Sequence, residues 1–446
     1  MAIMGRLSIR WLLRELPKLE ALGVIDATVA ERIRTYYAET TLGSGRRLVV
    51  AIFAVFGALL IGGGVILLLA HNWDAFGRGT RAAIALGPLV LAQLLVGWVL
   101  ITKGESTAWR EGAATLLALI VATAIALVDQ TYHSGGDLES FLWRWSLLLA
   151  ALPWLLNSTA VAMLFLAALT WWAGAAKVEG SQILMMWPLA AAVIPHLMQI
   201  MRSDRRGLRA ANLQWAIALF LCVAAGLGLE NRVPGLWIVV YVGLFALMMT
   251  VGVANHHVEE GLWRRPLESV GITGSVILWL ILSFDEPWRN IGWKHIPTTE
   301  RFHEVSSWMD VVLAVGLPLA AIVAMALLLD RGRHRIYFVW GLAVPLVAVV
   351  WPLTATTDSR WIGAIAFTTL IFVVGVTTIA EGVRRQNLGV VNLGMLVVAL
   401  LVVVRFFDSG LGFILRGIVF ILVGIGFLIA NIVLSRSLRV SEEKGK

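Results

Sequence analysis

Runs of about 20 apolar residues recur along this chain from residue 48 to residue 434. They constrain the fold more than any other feature. A helix rises about 1.5 Å per residue and the hydrocarbon layer of a bilayer is about 30 Å thick, so each such run has the length of a membrane crossing. Candidate spans fall at 48–70, 80–102, 112–128, 141–156, 158–174, 182–201 and 210–229, and then at 235–254, 267–284, 309–329, 336–353, 360–379, 386–404 and 412–434. The predicted fold is all-α, a polytopic transmembrane helix bundle of about fourteen spans. Spans 141–156 and 158–174 are separated by Asn157 alone, with Pro153 close by, and a re-entrant pair is the alternative there. Composition agrees. With 59% hydrophobic and 14% charged residues, the chain is too apolar to hide its surface in one core and too poor in charge to coat it. A soluble enzyme, a disordered chain, a coiled coil and a disulfide scaffold are excluded. Cys222 is the single cysteine, so neither an internal disulfide nor a cysteine-rich zinc site forms.

Charge sets the expected orientation. With the N-terminus inside, the inner segments hold 25 Lys and Arg and the outer loops nine, the bias that cytoplasmic loops carry. Both termini are therefore expected in the cytoplasm. The net charge of +8 lies between apolar runs rather than in a patch, which argues for membrane orientation and against a nucleic-acid partner. No cleavable signal peptide is read, because the first apolar run starts at Leu48; that run is expected to act as an uncleaved insertion signal. Many of the 20 tryptophans sit near span ends, among them Trp73, Trp98, Trp109, Trp143, Trp154, Trp187, Trp263, Trp288, Trp308, Trp351 and Trp361. Interfacial anchoring is the expected role there.

Three regions lie outside the spans. In residues 1–47, Leu12, Leu13, Leu16, Leu19 and Leu22 repeat at helical spacing, Gly23 ends the pattern, and Asp26 is placed to cap a second helix carrying Val29, Ile33, Tyr36 and Tyr37. The result is an amphipathic helical hairpin flanked by Arg6, Arg10, Arg14 and Lys18, fit to lie on the membrane surface or to dock a cytoplasmic partner. Residues 48–434 form the bundle, and 435–446 a basic cytoplasmic tail. The longest outer loop runs from Asp285 to Trp308. Its His295 and His303 are eight apart, which is no metal spacing. Nucleotide, zinc-protease and serine-nucleophile motifs are missing, so no cofactor and no metal are expected. Glycines such as Gly57, Gly62, Gly417, Gly424 and Gly426 suit close helix packing.

The informative polar residues cluster at outer span ends. The first span leads into His71-Asn72-Trp73-Asp74, the third into Asp129-Gln130-Thr131-Tyr132-His133, and the thirteenth into Arg405-Phe406-Phe407-Asp408. If the third helix runs one turn further, Asp129, Tyr132 and His133 share a face; the same spacing joins His71 to Asp74 and Arg405 to Asp408. Ionisable groups at membrane depth are costly and turn towards a bundle interior or a wet cavity, where they pair. Arg405 is a candidate partner for Asp129 or Asp408. Three uses stay open. One is a carrier or flippase-like cavity for a lipid-linked or anionic solute, with His71, Asp74, Asp129, Gln130, Tyr132, His133, Arg405 and Asp408 as substrate-binding residues. A second is catalysis on a lipid-linked or periplasmic substrate with Asp129 or His133 as base. The third is a set of ion pairs that close helix ends in a structural scaffold. Trp143, Arg144 and Trp145 at the next helix start read as anchors, with facing the same cavity as the alternative. His196, Gln199 and Glu381 lie towards the inner side without an evident partner and read as packing or interface residues.

Several of these stretches carry a resemblance. Gly23-Val24-Ile25, the run from Gly57 through Gly62-Gly63-Gly64 to His71-Asn72-Trp73, Gln130-Thr131-Tyr132 followed by Gly136-Asp137, Trp145 through Pro153-Trp154, and Val404-Arg405-Phe406-Phe407-Asp408 occur in this order. Together they resemble the bacterial predicted membrane proteins called domain of unknown function 2157, most strongly over residues 10–160 and 385–435. The resemblance implies a multi-pass protein of the bacterial inner membrane and implies no activity. Any mechanism rests on the polar cluster.

Overall fold

The computed structural model describes residues 12, 15–35, 76–132, 136–181, 183–205, 207–229, 233–255, 262–292, 305–330, 332, 334–406 and a few helical positions between 414 and 425. The span expected at 48–70 and most of that at 412–434, with His71, Asp74, His133 and Asp408, lie outside the described residues, as do residues 293–304 of the 285–308 loop. The chain divides into two compact units, Met1–Ile84 and Ala85–Lys446.

In the first unit, α1 (15–21) and α2 (27–35) form a helical hairpin. Gly23 takes a positive φ of 68°. Its amide donates to the Glu20 carbonyl and that of Val24 to Leu19, a left-handed stop that satisfies the last carbonyls of α1. Leu16 and Ala30 close the hairpin's small core, while Leu22 and Val24 stand exposed at its tip.

The second unit is helical, and among the described residues there is no strand. Its helices are α3 (Arg78–Thr102), α4 (Thr107–Tyr132), α5 (Leu138–Leu149), α6 (Leu152–Leu155), α7 (Thr159–Val178), α8 (Met186–Ala190), α9 (Ile194–Ser203), α10 (Leu208–Gly228), α11 (Leu236–Asn255), α12 (Pro266–Leu282), α13 (Val305–Leu328), α14 (Arg335–Gly341), α15 (Ala343–Thr357), α16 (Arg360–Arg384) and α17 (Leu388–Phe406). Among the described residues nine helices, with α14 and α15 taken together, are long and apolar enough to cross a membrane, and α12 is a shorter apolar one. The protein is an all-α polytopic membrane bundle.

Two expected spans are broken helices. Residues 141–156 fall on α5 and the single turn α6, which Pro153 opens; residues 182–201 fall on α8, a 3-10 turn over Ala191–Val193, and α9, with Pro188 and Pro195 near the joints. Proline removes an amide donor and crowds the preceding turn, so the breaks fall where the sequence carries it. Hydrogen bonds show the course of the chain through them. Glu111, in the first turns of α4, bonds the start of α7 and also Arg209 at the start of α10. Lys177, at the end of α7, donates to the carbonyls of Leu227 and Leu229 at the end of α10. Helices α4, α7 and α10 are thus parallel, and the chain returns between them through α5–α6 and then through α8–α9. The end of α6 leads directly into Ser158 and so lies at the Glu111 end of α4 and α7. The end holding Glu111 is the one the Lys and Arg distribution assigns to the cytoplasm and is called the inner end below.

Two buried clusters fill the unit, one built from α3 to α10 and one from α10 to α17, so α10 is the wall they share. Small residues bring the second cluster's helices close. A Cβ on Gly382 would lie 2.6 Å from the Val391 amide nitrogen, and one on Gly394 2.7 Å from that of Ile379, which locks α16 against α17. At Gly417 and Gly424, by contrast, a Cβ would meet nothing within 4 Å among the described residues. Tryptophans divide in the same way. Trp98, Trp109, Trp154, Trp263 and Trp361 are exposed, as expected of anchors, but Trp288 and Trp351 are buried at 1% and 5% exposure. Trp288 donates to the Leu282 carbonyl and packs on Phe367, and Trp351 donates to the carbonyl of Gly235. They are core plugs rather than interfacial anchors.

Candidate functional site

At the outer end, α4 continues past residue 128 to Tyr132, as the constellation needs. Asp129 lies on it with 16% of its side chain exposed, and its carboxylate accepts from Arg144 on α5 at 2.7 Å. The same guanidinium donates to the Ser140 carbonyl at 3.0 Å and to the Ser140 hydroxyl at 3.3 Å, which fixes its plane. Gly136 covers the pair, since a Cβ there would sit 2.8 Å from both Arg144 Nη2 and Asp129 Oδ2. Asp137 caps α5 by accepting from the Ser140 amide and hydroxyl, and these bonds hold its carboxyl below the usual carboxylate range. Gln130 and Tyr132 are exposed at the rim. Arg144, read from sequence as an anchor, is thus a partner of Asp129. The missed signal was its position two turns after the Asp137 cap, on the helix that returns beside α4.

Arg405 is held elsewhere at the outer end. Its guanidinium donates to Thr368 on α16 at 3.0 Å and lies 5.6 Å from the Phe284 ring centroid. Helix α17 packs on α16 and α12, and α4 packs on α5 and α7. The outer polar residues therefore form two described groups, one around Asp129 and Arg144, the other around Arg405.

Among the described residues, the densest polar network lies at the inner end. Glu111 reaches from α4 to the first turn of α7. Its Oε2 accepts from the Ser158 hydroxyl at 2.5 Å and the Ala160 amide at 2.9 Å; its Oε1 accepts from the Thr159 amide at 2.9 Å and Arg209 Nε at 3.1 Å. A carboxylate at a helix N-terminus neutralises orphan amides and the positive end of the helix dipole, and here it comes from another helix. Arg209 also donates to Thr159 Oγ1 at 3.1 Å and to the carbonyl and side-chain oxygens of Asn157 at 2.6 and 3.1 Å. Asn157 takes a positive φ of 48°, so the short Asn-Ser link turns sharply enough to aim its carbonyl at Arg209. His196 on α9 is fully buried, with Nε2 at 3.4 Å from Thr159 Oγ1. The reading of His196 as a residue without partners is corrected. Glu381 is likewise paired, with Arg384 at 2.7 Å and Arg385 at 2.5 Å.

Chemically, the outer group presents a half-exposed guanidinium oriented by a carboxylate, suited to an anion. The inner group is a charge-balanced knot of Glu and Arg with the His196 imidazole at its edge. Among the described residues no group of His, Cys, Asp and Glu is placed to hold a metal ion.

Residues 17–162 match the family model of predicted membrane proteins, DUF2157. The match spans most of α1, all of α2, the Asp129–Arg144 pair and Glu111 with the start of α7, about a third of the chain. The resemblance read at 385–435 lies outside it. No curated protein and no solved structure matches the chain. What DUF2157 and the fold give together is a multi-pass helical membrane protein.

Proposed function

We propose that this protein is a carrier or flippase-like handler of an anionic envelope component of the bacterial inner membrane, lipid-linked or free, taken up at the outer end. The observation that carries this reading is the pairing of two charged groups across one set of helices. Asp129–Arg144 and Glu111–Arg209 sit at opposite ends of α4, α7 and α10, and the two connections between those ends, α5–α6 and α8–α9, are both broken. Carriers place substrate groups beside interrupted helices because a broken helix has free backbone groups and hinges where it breaks. Arg144 is the proposed anchor for the anion, with Asp129 orienting it and Gln130 and Tyr132 at the rim; Arg405 is the cation of the second outer group. The hairpin of residues 1–47 is assigned to the membrane surface on the cytoplasmic side.

The test is a vesicle assay. The purified full chain is reconstituted into phosphatidylcholine vesicles with a fluorescent phosphatidylglycerol, and dithionite reports how much label crosses the bilayer. The protein should expose the inner-leaflet label, and Arg144→Gln should slow this about tenfold or more, the value of one charge-assisted hydrogen bond. Crossing no faster than in empty vesicles, for the lipid and for a soluble anionic solute alike, would overturn the proposal. A membrane scaffold is the second reading. It is favoured by the fact that both charged groups are already ion-paired, and it predicts that null result.

A further inference from the structure

We infer that the inner network is a proton-binding site, with His196 as the group that takes the proton; this rests on the carrier reading and supplies its coupling ion. Thr159 Oγ1 accepts from Arg209 Nε at 3.1 Å and lies 3.4 Å from His196 Nε2; we assign the tautomer in which the hydroxyl donates to Nε2. The imidazole is then neutral, with its lone pair on Nε2 and its hydrogen on Nδ1. Nδ1 is buried and has no hydrogen-bond partner, which is a costly arrangement for a group held only for packing. The charged groups facing the ring are Arg209 from α10 and Glu111 from α4; α6, which also packs on α9, brings none. Glu111 accepts four hydrogen bonds, two on each oxygen, so no lone pair is left well placed to receive a proton. His196 is the group with capacity to change.

Proton uptake at Nε2 turns that nitrogen from acceptor to donor. Thr159 Oγ1 must then accept from two cations, the imidazolium and Arg209, and only Glu111 balances them. Repulsion loosens Arg209 from Thr159 and Asn157, and with it the attachment of α9 and α10 to the start of α7. The closed network is the unprotonated state, and the released one carries the proton.

The experiment is hydrogen exchange on the full chain in nanodiscs, read at the Thr159 and Ala160 amides, which Glu111 holds. Rates are corrected for the intrinsic effect of pH and followed from about pH 8 to about pH 4, a range that brackets imidazole titration. Opening that takes up one proton raises the corrected rate by up to about tenfold per pH unit. The wild type should show this rise, and His196→Gln, or His196→Asn if the first does not fold, should be flat. A flat wild type overturns the site, and so does an unchanged rise in the variant. No transport is measured, so either result leaves the vesicle assay to judge the carrier reading by itself.

Discussion

Removing Glu111 tests the tertiary arrangement most directly, because one carboxylate joins three helices that are far apart in sequence. In Glu111→Ala the Ser158 hydroxyl, two amides of the first turn of α7 and Arg209 Nε lose their acceptor together. Breaking a buried ion pair by deleting one partner costs about 3–5 kcal/mol. The side chains here are 28% exposed for Arg209 and 21% for Glu111, so water recovers part of that and the loss should be about 3 kcal/mol. Arg209→Ala should cost less, about 1–2 kcal/mol, because Glu111 keeps its three donors on α7 and the favourable end of that helix's dipole. The double variant then loses less than the two singles added together, by about 1–2 kcal/mol, since the second removal no longer strands a charge. Denaturant unfolding in detergent micelles, followed by tryptophan fluorescence, measures all three losses. Faster exchange at the Thr159 and Ala160 amides in both Glu111→Ala proteins would locate the damage. Strict additivity would refute the reasoning: it would mean that the starts of α4 and α10 do not meet at α7, and the return of the chain through α5–α6 and α8–α9 would fall with it.

Two further outcomes follow from the described contacts. Trp288→Ala should destabilise the protein by about 3–5 kcal/mol, the usual loss for a buried large aromatic, whereas Trp361→Ala, at 60% exposure, should stay within about 0.5 kcal/mol; equal losses in the same unfolding assay would show that Trp288 is not a plug. Asp137 gives a pH dependence with a definite sign. Its carboxyl is held below the usual carboxylate range by the Ser140 hydroxyl and amide, so its cap on α5 is in place above the ordinary carboxylate pKa and is lost as the pH falls through the lowered value. Corrected exchange at the Ser140 amide should therefore rise in acid, and Asp137→Ala should remove that rise.

Local features were legible where the physics is local. The Gly23 stop and the two hairpin helices follow from backbone preference and apolar spacing over a few residues, and the span positions at 80–102, 210–229 and 360–379 overlap observed helices for the same reason. Prolines 153, 188 and 195 were visible, but their effect depended on whether neighbouring helices would fill the broken turns. At the candidate site the sequence pointed to Asp129 and to the extra turn of α4. It did not supply Arg144 as partner, because an arginine beside two tryptophans at a span end looks the same whether it faces headgroups or another helix. Trp288 and Trp351 misled for a related reason: an indole near a span end satisfies its N–H equally well with water or with a carbonyl inside the bundle.

By itself, then, the order of amino acids determined that the chain is helical, that it lives in a bilayer, and roughly where each helix starts, since the hydrocarbon layer filters every segment separately by its length and polarity. Which helices become neighbours was left to the tertiary structure. Glu111 and Arg209 stand 98 residues apart, and His196 joins them only because α9 folds back between α7 and α10. Packing, not hydropathy, chooses such partners: lipid treats all apolar faces alike, and only the fit of small residues, broken turns and buried hydrogen bonds distinguishes one neighbour from another.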